Sequence, residues 1–203
     1  YDVDHEAPYR QLIVWDPDAQ EIIGGYRYIL CKDLDPEKMA TKELFEFSEK
    51  FEKEYLPYTI ELGRSFIQPA YQGTRGRRKG LFALDNVWDG LGALMTKYDE
   101  YKYFFGKVTM YSQFDKALRD MILFFMNKFF PDNDNLIYPY PDKAIKVKAR
   151  KAIMKLRLDG NNYQNSYRTL SKYVREHGSN IPPLFNAYMS LSATMKTFGT
   201  AIN

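Results

Sequence analysis

Glu61 and Arg64 are the residues best suited by type and spacing to do chemistry. They lie in "TIELGRSFIQPAYQGTRGRRKG", residues 59–80, where they interrupt an apolar run of Ile60, Leu62, Phe66 and Ile67. A charge inside a strand needs a partner, because burying it alone is costly. A glutamate can accept a proton from an attacking amine, and an arginine presents a planar fork that fits a carboxylate. A structural ion pair accounts for the same residues equally well. Arg27, in the strand "IIGGYRYIL", has the same two readings, with Glu61, Asp2 or Asp4 as the structural partner of either arginine. Side chains alternate along a regular strand, so residues three apart face opposite sides. Glu61 and Arg64 converge only if the strand is irregular, and Gly63 between them is the predicted site of a bulge.

The loop that follows, "QGTRGRRKG", holds Gln72, Gly73, Arg75, Gly76, Arg77, Arg78 and Lys79. Glycines let backbone approach an anion, and a helix start just beyond offers unpaired N–H groups. The loop reads as a phosphopantetheine or pyrophosphate site, or as a solvated basic loop. It is not a Walker A loop, because G-x-x-x-x-G-K-[ST] is absent. A second basic stretch, Lys143 to Arg157, carries seven cations and no acidic residue, with Ile145, Ala149, Ala152, Ile153 and Leu156 at helical spacing. Such a helix suits an acidic partner protein or an anionic membrane surface. A solvated face is the plainer reading, and no nucleic-acid-binding signature accompanies the charge.

Composition narrows the field. With 45% hydrophobic and 27% charged residues over 203 positions, the chain is globular rather than disordered. A net charge of +3 does not demand nucleic acid. One cysteine, Cys31, rules out an intrachain disulfide and a cysteine zinc site, and the two histidines, His5 and His177, are far apart. A reducing cytoplasm fits, and no metal is expected. No apolar run reaches the ~20 residues that span a bilayer, and no signal peptide is visible. The chain begins at Tyr1 without methionine and reads as a piece of a longer protein.

The elements that must position these residues alternate between strand and helix. Gln11–Trp15 and Glu21–Leu30 are predicted strands joined by the turn "DPDAQ". Asp35–Pro36 is a helix-start signal, and a longer helix is predicted from Thr41 to Tyr55, ending before Pro57. Residues 58–67 form the next strand, and 69–82 a loop. Asp85 caps a helix with Val87, Trp88, Leu91, Leu94, Met95 and Tyr98 on one face. "YFFGKVTMY", 103–111, is a strand ending at Tyr111, a candidate proton donor to a leaving group. Phe114 to Phe129 is an amphipathic helix, and 131–142 a proline-rich loop. Helices are predicted at 143–158, capped by Asp142, and at 163–177, closed by Gly178. From Pro182 a short helix and a strand follow. The parse is one domain, 1–203, with a helical elaboration at about 142–178.

These pieces in this order resemble a known family. "DVDHEAPYRQLIVWDPDAQEIIGGYRYI" is similar to the opening of GNAT-type N-acyltransferases that use acyl carrier protein. That group includes the ornithine- and glycine-lipid N-acyltransferases, also called hemolysin-like, and is related to acyl-homoserine-lactone synthases. Asp2, Asp4, Leu12–Trp15 and Gly24–Arg27 match its acidic residues, first strand and Gly-x-x-Arg strand. "ELGRSFIQPAYQ", "VWDGLGALM", "YFFGKVTMY" and "IPPLFNAYMSLSATMKTFGTAIN" resemble its later segments. The resemblance covers nearly the whole chain, which looks clipped at both ends, with a missing N-terminal part that supplies a helix to the acyl pocket. One departure stands out: Gln72 is followed by Gly-Thr-Arg-Gly, not by the Gln/Arg-x-x-Gly-x-Gly/Ala spacing that holds the coenzyme A pyrophosphate.

The resemblance implies a mixed, mostly antiparallel GNAT-type sheet flanked by helices, of the α/β (α+β) class. It implies transfer of a fatty acyl group, with or without a 3-hydroxyl, from acyl-phosphopantetheine on acyl carrier protein to an amino-acid amine such as that of glycine or ornithine. Glu61 is then the base, through a water, with Arg64 beside it. Arg27, Phe66, Ile67, Gln68, Trp88 and Tyr111 form the substrate-binding set, and backbone N–H groups near Phe66 to Gln68 form the oxyanion hole. Gln72, Gly73, Arg75, Gly76, Arg77 and Arg78 hold the phosphopantetheine or its carrier, which is acidic. No cofactor is expected to be tightly bound. The implied place is the cytoplasm or the inner face of the membrane. A coenzyme A-dependent GNAT acting on a small amine, and a non-catalytic lipid- or membrane-surface-binding protein, remain alternatives.

Overall fold

The computed structural model describes residues 7–32, 34–72, 83–147 and 162–202. The chain divides into two compact units, one of Tyr1–Glu43 with Glu49–Lys107, the other of Leu44–Ser48 with Val108–Asn203.

The first unit is built on a four-stranded sheet in the order β1-β2-β4-β5. The strands are β1 (Arg10–Asp16), β2 (Glu21–Leu30), β4 (Thr59–Ile67) and β5 (Tyr103–Gly106). β1 and β2 form the expected hairpin. The Asp16 carboxylate accepts from the Asp18 and Ala19 N–H groups at 3.0 and 3.2 Å, and Gln20 takes a positive φ of 52° to close the turn. β2 pairs antiparallel with β4, and β4 pairs parallel with β5. This is the mixed, mostly antiparallel sheet that the resemblance implied.

Alternation along the strands sorts the two faces. Tyr26, Tyr28, Ile60 and Leu62 point to one face and pack against α1 (Ala83–Lys97) through Val87, Leu91 and Leu94. Burying each of those three α1 side chains contributes about 1.5–3 kcal/mol. Asp85 lies in the first turn of α1, where its charge meets the positive end of the helix dipole, and is not the cap itself. Arg27, Ile29, Glu61 and Gly63 belong to the opposite face, because Arg27 stands across from Gly63 and Ile29 across from Glu61.

Two expectations need correcting in this unit. The helix predicted over 41–55 is present only from Glu49, and its Phe51–Tyr55 part is wound wide, with the Leu56 N–H reaching the Phe51 carbonyl. The residues before it contain β3 (Phe45–Phe47) of the second unit, paired with β6 (Ile137–Pro139). Phe45 and Phe47 take their hydrogen bonds from a strand some 90 residues away, and this pairing overrides the local helical pattern. The strand predicted over 103–111 stops at Gly106. A Cβ at Gly106 would collide with the Leu62 carbonyl, so the two backbones meet closely there, and their pairing ends at that point.

The second unit is helical. α2 (Lys116–Phe129) starts at Asp115, whose carboxylate accepts from the Ala117 and Leu118 N–H groups. α3 (Tyr163–Glu176) ends as predicted, with Gly178 at φ 73°. α4 (Pro183–Leu191) follows Pro182. Leu118, Met121, Ile122 and Phe125 of α2 pack with Leu170 and Val174 of α3 and Phe185 and Met189 of α4. The loop expected at 131–142 contains β6. The helix expected at 143–158 does not begin at Lys143: Ala144 bridges Ala201, and the Ile145 N–H donates to the Thr200 carbonyl at 2.9 Å. Its remainder, 148–158, lies outside the described residues. The final strand is reduced to isolated bridges at Thr197 and Ala201. Among the described residues no helix is long and apolar enough to cross a membrane.

Candidate active site

Glu61 is 3% exposed, on the sheet face opposite α1. Its Oε1 accepts from the Thr41 N–H at 3.2 Å and from Thr41 Oγ1 at 2.6 Å. Its Oε2 accepts from the Tyr9 hydroxyl at 3.1 Å. The Tyr9 oxygen in turn accepts from the Ala40 N–H at 3.3 Å, and the Tyr9 ring lies 3.9 Å from the guanidinium carbon of Arg27. Lys107, just past β5, donates to the Ala40 carbonyl and pairs with Glu43 at 3.8 Å. Residues 40–41 are thus strapped over Glu61 from both sides. A buried carboxylate needs such donors, because unmet acceptors cost about 1–3 kcal/mol or more each.

Burial, and then the nearby Glu61 charge, push the Tyr9 phenol up to about 12. Tyr9 is therefore a proton donor to Glu61 across the neutral range. The Cys31 thiol is also pushed up to about 12, by burial first and by Glu61 second. It is a packed thiol with no nucleophilic character near neutral pH.

Arg27 is 5% exposed and lies across Gly63. A Cβ on Gly63 would stand 3.3 Å from Arg27 Nη2, so the missing side chain is what gives the guanidinium its place. The irregularity predicted at Gly63 occurs one residue later. Gly25 pairs with Phe66 and Arg27 with Gly63, so Arg64 and Ser65 share the single partner Tyr26. Arg64 takes a φ of 47°, a left-handed conformation that costs a non-glycine residue about 1–2 kcal/mol. The Arg64 side chain is exposed, and Glu61 takes its hydrogen bonds from Tyr9 and Thr41 rather than from Arg64.

The bulge coincides with an opening in the sheet. β4 pairs with β5 only as far as Leu62, and among the described residues no strand continues beside 63–67 on that side. The edge therefore presents backbone donors and acceptors next to Glu61.

The remaining candidates are spread out. Phe66 is 45% exposed, whereas Ile67 packs against Ile23 and Tyr71. The Gln68 N–H is committed to the Ile23 carbonyl at 2.8 Å and its side chain to the Ile22 carbonyl, so this amide is engaged in holding β4 to β2. The Gln72 side chain donates back to the Ile67 carbonyl. Trp88 packs on Tyr26, on the sheet face opposite Glu61. Tyr111 belongs to the second unit, follows no strand end and is 79% exposed. Gly73, Arg75, Gly76, Arg77 and Arg78 lie outside the described residues.

Tyr9, Thr41 and Lys107 were missed from sequence. Tyr9 and Thr41 are 52 and 20 residues from Glu61, and no local pattern marks either. The one available signal was Glu61 itself: a carboxylate in an apolar strand predicts buried donors without naming them.

The acetyltransferase (GNAT) domain family matches residues 2–79. A glycine N(alpha)-acyltransferase of Phocaeicola vulgatus is 52% identical over 208 residues, which cover 100% of this chain and 63% of the relative. A glycine N(alpha)-acyltransferase of Bacteroides thetaiotaomicron is 50% identical over 203 residues, covering 98% of this chain and 60% of the relative. The chain thus spans less than two thirds of the length of these curated relatives. No solved structure matches it. The sheet order and the bulged β4 that parts from β5 make this a mixed α+β fold, and over residues 2–79 the chain is similar to the acetyltransferase (GNAT) domain.

Proposed function

We propose that the chain is the catalytic part of an N-acyltransferase that moves a fatty acyl group from a phosphopantetheine thioester to the amine of glycine, with ornithine as the second-ranked acceptor. The observation that carries this reading is the buried, donor-held Glu61 beside the open edge of β4. The names of the two relatives support glycine as acceptor. In this reading the phosphopantetheine arm, which carries amides, pairs with the edge at 63–67 as an added strand does. The amine nitrogen attacks the thioester carbonyl, and its proton passes to Glu61 through a water. The tetrahedral oxyanion is held by N–H groups of the bulged segment; as it collapses to the amide the C–S bond breaks, and the departing sulfur takes up the proton held by Glu61 to leave as the carrier thiol. Arg27 and Arg64 are the candidate partners for the acceptor carboxylate.

Acyl carrier protein is the proposed donor, because an acidic carrier complements the cations at 75–79 and 143–157. A role in amino-acid lipid synthesis, at the cytoplasmic membrane face, belongs to the same proposal. So does the idea that both compact units serve one catalytic domain. Free-thiol release tests the donor. With glycine present, thiol should appear faster from acyl-carrier-protein thioester than from the coenzyme A thioester. Release from coenzyme A alone would reassign the donor, and release independent of glycine would make the protein a thioesterase.

A further inference from the structure

Among the described residues three donors reach Glu61, and they are unequally shared between its oxygens. An ionised carboxylate has about four acceptor positions, two on each oxygen. Thr41 fills both positions on Oε1, with its N–H and its hydroxyl. Tyr9 fills one on Oε2. Among the described residues Oε2 therefore keeps acceptor capacity that Oε1 lacks, and the Tyr9 ring whose hydroxyl reaches it lies 3.9 Å from the Arg27 guanidinium carbon. Thr41 itself is held in place, since its neighbour Ala40 donates to Tyr9 and accepts from Lys107.

From this we infer that Thr41 and Tyr9 are positioning residues that make Oε2 the single proton-accepting atom of Glu61 and aim it along the Tyr9 side. The inference rests on the acyl-transfer reading above. Thr41 closes Oε1 and stops the carboxylate from rotating about its last bond. Tyr9 fixes the height of Oε2 above the sheet and, through its ring, its spacing from Arg27. Neither side chain needs to touch the acceptor. Removing either donor leaves a carboxylate that can turn, so the base points away from the amine for part of the time. The chemical step then slows while acceptor binding stays as it was.

The test uses three variants of the full chain: Thr41→Val, which keeps the β-branched shape and loses the hydroxyl; Thr41→Ser, which keeps the hydroxyl; and Tyr9→Phe, which keeps the ring over Arg27. Each is assayed with glycine and a long-chain acyl thioester, supplied on acyl carrier protein and on coenzyme A in parallel, and each is melted by circular dichroism. The expected result is a kcat about tenfold or more lower for Thr41→Val and Tyr9→Phe, with the glycine KM within about twofold of the parent, and a kcat for Thr41→Ser close to the parent. If Thr41→Val fails to fold, Tyr9→Phe decides alone. A folded Thr41→Val or Tyr9→Phe protein with parental kcat would overturn the inference and leave the acyl-transfer reading standing. A parent protein that turns over neither donor would remove that reading, and the inference with it.

Discussion

Replacing Glu61 by Gln separates a reaction centre from a structural carboxylate, because the two roles predict opposite pairings of stability and rate. The amide has the same shape and keeps one oxygen. Placed on the Thr41 side, that oxygen still accepts both Thr41 donors. Hydrogen bonds to a charged group are worth about 1.5–3 kcal/mol and neutral ones about 1 kcal/mol, so two weakened bonds cost about 2 kcal/mol. The new NH₂ meets the Tyr9 oxygen, which must turn its own hydrogen elsewhere. Removing a buried charge offsets part of this loss. A net change of about 1–2 kcal/mol lowers Tm by about 2–8 °C in a chain of this size. Glu61→Ala is different: it strands the Thr41 N–H, Thr41 Oγ1 and the Tyr9 hydroxyl, at about 1–3 kcal/mol each, and should unfold or nearly unfold the first unit. If Glu61 is the base, Glu61→Gln should be folded yet about 10²–10⁴-fold slower in single turnover. Melting curves and single-turnover rates on the same preparation read both quantities. A stable Glu61→Gln protein with near-normal turnover would refute the reasoning.

Further outcomes can be checked with equally simple variants. Gly63→Ala has an ordinary backbone to occupy, so its stability should change by less than about 1 kcal/mol. Its Cβ must push Arg27 Nη2 from 3.3 Å, so the glycine KM should rise several-fold, and an unchanged KM would detach Arg27 from the acceptor. The Tyr9 phenol sits at about 12 in the folded protein against an ordinary 10.0, so the folded state keeps a proton that the unfolded chain gives up. Its contribution is intact below about pH 10 and is lost as the pH rises toward 12; urea midpoints of the parent should fall faster than those of Tyr9→Phe across that window, and parallel curves would count against it. Changing Lys146, Arg150 and Lys151 together to Glu should weaken binding to acyl carrier protein or to anionic vesicles at low salt, since each cation near an anionic surface is worth about 1 kcal/mol. Unchanged binding to both would reduce that stretch to a solvated face.

Much of the sheet was legible in the sequence because its signals are local. The β1–β2 hairpin follows from alternation around an Asp-Pro turn, and α1, α2 and α3 from apolar residues on a 3.6-residue period. β3 was hidden because "TKELFEFSEKFEKEY" carries helix-forming Glu and Lys around Phe45 and Phe47, and only the distant partner β6 makes it a strand. Glu61 was visible as a charge among apolar residues. Its partners were not, because Tyr9 and Thr41 reach it from segments without regular structure. The bulge was anticipated from Gly63 but falls at Arg64. The glycine serves instead as the space that Arg27 fills, a role that depends on the cross-strand register and not on the residues beside it.

The central claim is most directly tested by the mass of the product. Purified protein, a fatty acyl thioester on acyl carrier protein, and equimolar glycine, ornithine and ethanolamine should yield N-acylglycine as the main product in liquid chromatography–mass spectrometry, and the yield should collapse with Glu61→Gln. Acylation chiefly of ethanolamine, an amine without a carboxylate, or the absence of any N-acyl product, would contradict the account.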